Sequence, residues 1–177
     1  MRFIPLGIAV VTLASSAAIA HQPQTRPATK PIRPVAVTNV EGTYVTVSAG
    51  LSAASVTPGG RMTLILDITP HTAIHLYAPG QEGYLPVALT LEKSTSYQAA
   101  PVVYPPSDPV FFPELAQTLK LFDGPFRLTR ALTMRMDARG AIRVAGTLDY
   151  QACDDHVCYK PEKVALRWTV TVSGSRP

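Results

Sequence analysis

Cysteine is almost missing from this chain: of 177 residues only Cys153 and Cys158 are cysteines, and both lie between Tyr150 and Pro161. A second Cys/His cluster of the kind that builds zinc modules is absent. So are a Gly-x-Ser-x-Gly elbow, a phosphate-cradling glycine loop and a His-Glu-x-x-His segment, which leaves serine-hydrolase, nucleotide and zinc-protease chemistry without their residues. No apolar run beyond Leu13 approaches the length that spans a bilayer, so no integral membrane segment is expected. Excess charge is also missing from the body of the chain. The formal net charge is +4, but Arg2, Arg26, Lys30 and Arg33 account for it, and residues 34–177 carry 12 basic and 12 acidic side chains. A neutral domain offers nucleic acid or an anionic membrane no electrostatic hold.

What is present begins with an export pattern. Arg2, the apolar run Phe3 to Leu13 and the small residues ending Ala18-Ile19-Ala20 predict a secretory signal (residues 1–20) cleaved after Ala20. The product is expected in the periplasm or outside the cell, and no cysteine follows the cleavage site to carry a lipid. Residues 21–40 read as a Pro-rich flexible arm, with Pro23, Pro27, Pro31 and Pro34 and no apolar period. His21 would begin that arm; a terminal amine and imidazole chelate copper only with further ligands on a rigid surface, which such an arm does not supply.

Residues 41–174 read as a single domain made of strands. Apolar and polar residues alternate over Thr43–Ala49, Met62–Ile68, Val87–Glu92, Thr118–Phe122, Phe126–Met136, Ala141–Tyr150 and Val164–Val172, with Pro58-Gly59-Gly60 and Asp137-Ala138-Arg139-Gly140 as turn signals. The clearest set is Val164, Leu166, Trp168, Val170 and Val172 on one side, with Trp168 as a core anchor. Seven to nine short strands without a long helical period predict an all-β, immunoglobulin-like antiparallel β-sandwich. Asp137 to Gly140 is expected to close a hairpin between two long strands. The interval Pro101 to Pro113 is expected to stay unpaired because of its prolines. Its Phe111 and Phe112 either lie over the cysteines as a cap or simply pack on the sandwich.

The cysteine segment sits where the strand ending at Tyr150 meets the one beginning near Val164. Four residues separate the two sulfurs, and an Asp-Asp-His turn lets them reach disulfide geometry. Closing so short a loop contributes roughly 2 kcal/mol by chain entropy, at the low end for a staple. Weak staples are plausible exchange sites. Asp154 and Asp155 disfavour a thiolate at Cys153, whereas His156 favours one, so the pair suits being attacked by a partner's thiolate.

Tyr150-Gln151-Ala152-Cys153-Asp154-Asp155, then Val157-Cys158 and Pro161, resembles the redox-active segment of the amino-terminal periplasmic domain of the thiol:disulfide interchange protein DsbD. Ile74-His75-Leu76-Tyr77-Ala78-Pro79-Gly80, Val103-Tyr104-Pro105-Pro106 and Leu121-Phe122-Asp123-Gly124 extend the resemblance over about residues 41–172. It implies an immunoglobulin-like fold whose cysteine pair takes electrons from a membrane donor and a thioredoxin-like domain and passes them to periplasmic thiol-disulfide proteins. It also implies an aromatic cap loop, at Phe111 or Phe112, and aromatic neighbours of the pair, at His75 and Tyr77; a phenol or imidazole there either assists proton movement during exchange or simply packs in the core or an edge strand. The redox-active disulfide is then the whole apparatus, without a further cofactor. The chain departs from the family in showing no membrane segment or thioredoxin-like domain, so either separate proteins, a membrane electron donor among them, reduce it or it has become something else, such as a binding module that kept the fold. Tyr150 and Tyr159 flank the pair and either support it or only pack around it. Two other readings stand beside this one: a Cu(I)/Zn(II) chaperone using Cys153, His156 and Cys158, and a non-catalytic binding domain with a structural disulfide.

Overall fold

The computed structural model describes residues 31–174. The expected secretory signal and residues 21–30 of the expected arm lie outside the described residues. Within them the strands are β1 (Val35–Glu41), β2 (Val45–Leu51), β3 (Ser55–Val56), β4 (Arg61–Pro70), β5 (His75–Tyr77), β6 (Ala88–Leu91), β7 (Tyr97–Val103), β8 (Asp108–Phe112), β9 (Gln117–Phe122), β10 (Phe126–Met134), β11 (Gly140–Tyr150), β12 (Ala152–Cys153) and β13 (Glu162–Val172). The helical content among them is one 3-10 turn, Pro113–Leu115.

Three sheets result: β1-β2-β4-β10-β7, β3-β13-β11-β6 and β12-β5-β9-β8. Neighbouring strands run antiparallel except β13 with β3. The first two sheets face each other and bury the alternating sets: Val47 of β2, Leu66 of β4 and Leu128 of β10 meet Leu148 of β11 and Leu166, Trp168 and Val170 of β13 in one core. Each such leucine contributes about 1.5–3 kcal/mol by leaving water. The expected antiparallel, immunoglobulin-like sandwich is the fold observed.

Several expectations are corrected. The arm read through residue 40 ends earlier, because residues 35–41 form β1, which pairs with β2. β1 is an edge strand with mostly exposed side chains, so it lacks the apolar face by which strands are recognised. The proline-rich interval also pairs. β7 contains Pro101 and β8 contains Pro109, but both are edge strands, where a missing N–H costs no ladder bond. Between Arg130 and Leu132 the β10–β7 register slips at the Pro101 region, a bulge. Arg130 fills the gap, its Nε donating to the Ala100 carbonyl at 2.8 Å and its Nη1 to the Leu89 carbonyl of the opposite sheet at 3.0 Å. Finally, β10 and β11 belong to different sheets, so residues 135–139 form a crossover between layers, not a hairpin. The alternation read through Met136 stops at Met134, which is in the core, and Met136 lies beyond the strand end and is exposed.

Gly146 of β11 lies against the backbone of β6: a Cβ there would meet the Thr90 carbonyl oxygen and the Leu91 side chain. Gly146→Ala is therefore expected to cost about 1–3 kcal/mol by forcing the two strands apart, measured as a lower denaturation midpoint at unchanged slope.

Candidate functional site

β11 runs through the sandwich to Tyr150, and after Gln151 the same chain continues as β12 in the third sheet. There Ala152 pairs with Leu76 and Cys153 with His75. The chain then turns back at once. Asp154 N–H donates to the Val157 carbonyl at 3.0 Å, Tyr159 N–H to the Ala152 carbonyl at 2.8 Å, and the Gln151 amide to the Tyr159 carbonyl at 2.9 Å. Cys153 and Cys158 face each other as an isolated antiparallel bridge with Cα atoms 4.0 Å apart, joined by a disulfide.

The turn is held by its first residue. Asp154 Oδ1 accepts the N–H groups of His156 at 2.8 Å and Val157 at 2.7 Å, the pattern by which an aspartate side chain closes a turn on itself. Its Oδ2 accepts the Tyr159 hydroxyl at 2.6 Å. Tyr159 in turn stacks on Tyr44, ring centres 4.4 Å apart, which ties the turn to the sandwich. The Tyr159 hydroxyl and the two backbone donors hold the Asp154 carboxyl down at about 2.

The two sulfurs have unequal surroundings. Cys153 is buried in a small cluster with Tyr77, Leu119 and Leu121, against which Tyr84, Val110 and Phe112 pack. Cys158 is exposed, next to exposed Val157. The Tyr77 hydroxyl lies 3.5 Å from Cys158 Sγ, and because a bonded sulfur carries no proton the phenol is the donor. Burial, and secondarily Tyr84, raises the Tyr77 pKa, so the phenol keeps its proton at neutral pH. His75 is buried beside Tyr77 and Phe112, with ring centres 5.9 and 6.1 Å away.

Of the residues expected at the site, Cys153, Cys158, Asp154, His75 and Tyr77 come together, and Asp155 and His156 occupy the exposed tip of the turn. The two phenylalanines part ways: Phe112 packs toward the Cys153 cluster, whereas Phe111 is 61% exposed. Tyr150 is fully buried in the main core rather than in that cluster. Tyr159 was visible as a flank of the pair, but its hydrogen bond to Asp154 and the contacts of Tyr44 and Tyr84 carried no local sequence signal, since each is made by folding. Among the described residues no group of three or more His, Cys, Asp or Glu side chains is gathered to hold a metal ion.

No protein-family model matches the chain, and no curated protein matches it. Solved structures do. The chain is similar to the N-terminal periplasmic domain of ScsB from Proteus mirabilis, at 14% identity and a TM-score of 0.53, over 75% of this chain and 49% of that one. The likeness is one of fold. The chain thus spans about half the length of that domain. Two further domains also align over 75% of the chain: the GAE domain of GGA2p from Saccharomyces cerevisiae, at 11% identity, 97% of its length and a TM-score of 0.46, and that of yeast GGA1, at 8%, 96% and 0.41. No helix among the described residues is long and apolar enough to cross a membrane.

Asp154 supplies a pH test. Its folded pKa lies below its unfolded value of about 3.9, so the stabilisation it gives is complete above about pH 4 and is lost as pH falls toward 2. The amide resonances of His156 and Val157 are expected to titrate with a midpoint near 2, and in Asp154→Ala this transition should vanish.

Proposed function

We propose that this chain is an exported, periplasmic thiol-disulfide exchange module that passes electrons between protein partners through Cys153 and Cys158. The observation that carries the reading is the inequality of the two cysteines, one buried and one exposed at the end of a sheet. A partner thiolate attacks Cys158 Sγ; a mixed disulfide forms there and the old bond's electron pair leaves on Cys153, which takes up a proton. The partner's second thiolate then attacks the partner sulfur of the mixed disulfide, releasing Cys158 as a thiolate. The partner ends as a disulfide and the module as a dithiol, two electrons richer. The reverse sequence hands the electrons to a target disulfide.

Support comes from the fold likeness to a periplasmic domain and from the DsbD-like residues around the pair. Thioredoxin-like or other periplasmic thiol-disulfide proteins are the proposed partners, with a separate membrane protein as electron source. The β8–β9 hairpin is the proposed cap, rooted by Phe112 beside the Cys153 cluster and presenting Phe111 to an incoming protein.

The test is a redox titration of the folded protein against glutathione, read by thiol alkylation and mass. A potential of roughly −180 to −270 mV, the range of thioredoxin-like proteins, is expected. Cys153→Ser should trap partners as mixed disulfides at Cys158, and Cys158→Ser should trap far fewer. A bridge that stays closed at those poises, with nothing trapped, would establish a structural disulfide instead. Stoichiometric retention of Cu(I) or Zn(II) by the reduced protein, lost in His156→Ala, would establish the metal-chaperone alternative.

A further inference from the structure

Tyrosines aside, His75 is the polar side chain that the described fold buries, at 7% exposed. Its place is set by register. Cys153 pairs with His75 on one side and with Cys158 on the other, and directly paired residues present their side chains on the same face. On the far side of β5, Phe122 of β9 pairs with Leu76, so the next residue, Asp123, ends beside His75. A row therefore crosses the small sheet: carboxylate, imidazole, buried sulfur, exposed sulfur. The remaining groups about the imidazole are Tyr77 on its own strand, Phe112 on β8, and Asp154 and Asp155 in the disulfide turn.

We infer that His75 is the proton acceptor for Cys153, placed opposite it so that the buried thiol can attack as a thiolate and resolve a mixed disulfide formed at Cys158. The inference rests on the exchange reading above. In the reduced module, the Cys158 thiolate first attacks a target disulfide and releases one target thiolate. Cys153 then gives its proton to His75, and its thiolate attacks Cys158 Sγ. The Cys153–Cys158 bond forms, the Cys158–target bond breaks, the target's second sulfur leaves with the electron pair, and the proton passes on to it through solvent. The target gains two electrons and the module loses two.

The surroundings suit both halves of this transfer. Burial lowers the His75 pKa, so the resting imidazole is neutral and has a lone pair to offer. The charges of Asp155, Asp123 and Asp154 act the other way and stabilise the imidazolium once the proton arrives. A thiol with the ordinary pKa of about 8.5 is only about 3% ionised at pH 7, so a base that takes the proton as the attack proceeds has up to about 30-fold to gain.

The reduced full chain, mixed rapidly with the chromogenic disulfide dithionitrobenzoate, releases one thionitrobenzoate when Cys158 attacks and a second when Cys153 resolves the adduct. His75→Phe is expected to slow the second release about tenfold at pH 7 and to leave the first within about twofold. The deficit should shrink steadily as pH rises and the thiol ionises increasingly without a base. His75→Gln, which keeps a polar side chain of similar reach, should show the same loss. A second release that is unchanged from pH 6 to 9 in either folded variant overturns the role of His75. A native chain that keeps its first adduct and never releases the second overturns the exchange reading itself, so the two failures are told apart.

Discussion

One pleat, carried without a break through two sheets, fixes the chemistry of this domain. Along β11 the residues Leu148 and Tyr150 point into the main core, and after the crossing at Gln151 the same phase puts Ala152 there too. Cys153 must then point the other way, into the small cluster with Tyr77, Leu119 and Leu121. Shifting the chain by one residue would bury the sulfur among aliphatic side chains and bring Ala152 to the site. The long β11–β13 ladder, paired from Gly140 with Val172 to Tyr150 with Glu162, holds that phase.

The turn inherits its conformation from Asp154, and Asp154 is in turn oriented by Tyr159, whose ring lies on Tyr44 near the start of β2. The loop between the two sulfurs is thus anchored on both flanks, by β12 against β5 and by the tyrosine stack against the sandwich. This anchoring leaves the turn little of the freedom that its exposed tip would otherwise have. It also keeps Cys158 beside Cys153 through contacts independent of the bond between them.

The sequence made the sandwich legible wherever a strand has one wet and one dry face. β13, β11 and the even positions of β4 alternate strictly enough that their inward sets could be named residue by residue, Trp168 among them. Legibility failed at the margins of the sheets. β1 shows no apolar face, and β7 and β8 carry prolines that edge positions tolerate. At the site the cysteines and Asp154 were visible because they are adjacent in sequence. Tyr44 and Tyr84 were not, and Tyr159 was visible only as a flank of the pair, because stacking and a hydroxyl-carboxylate contact have no period. Tyr150 shows the opposite limit: adjacent to the cysteine segment in the chain, it faces the main core.

The burial of Cys153 beside an exposed Cys158 leaves a single cysteine of the bridge open to visitors. Two proteins cannot occupy one sulfur together, so a donor and an acceptor of electrons exclude each other and must come in turn. Throughput would then be governed by how quickly each visitor departs, and tight binding by either would silence the other.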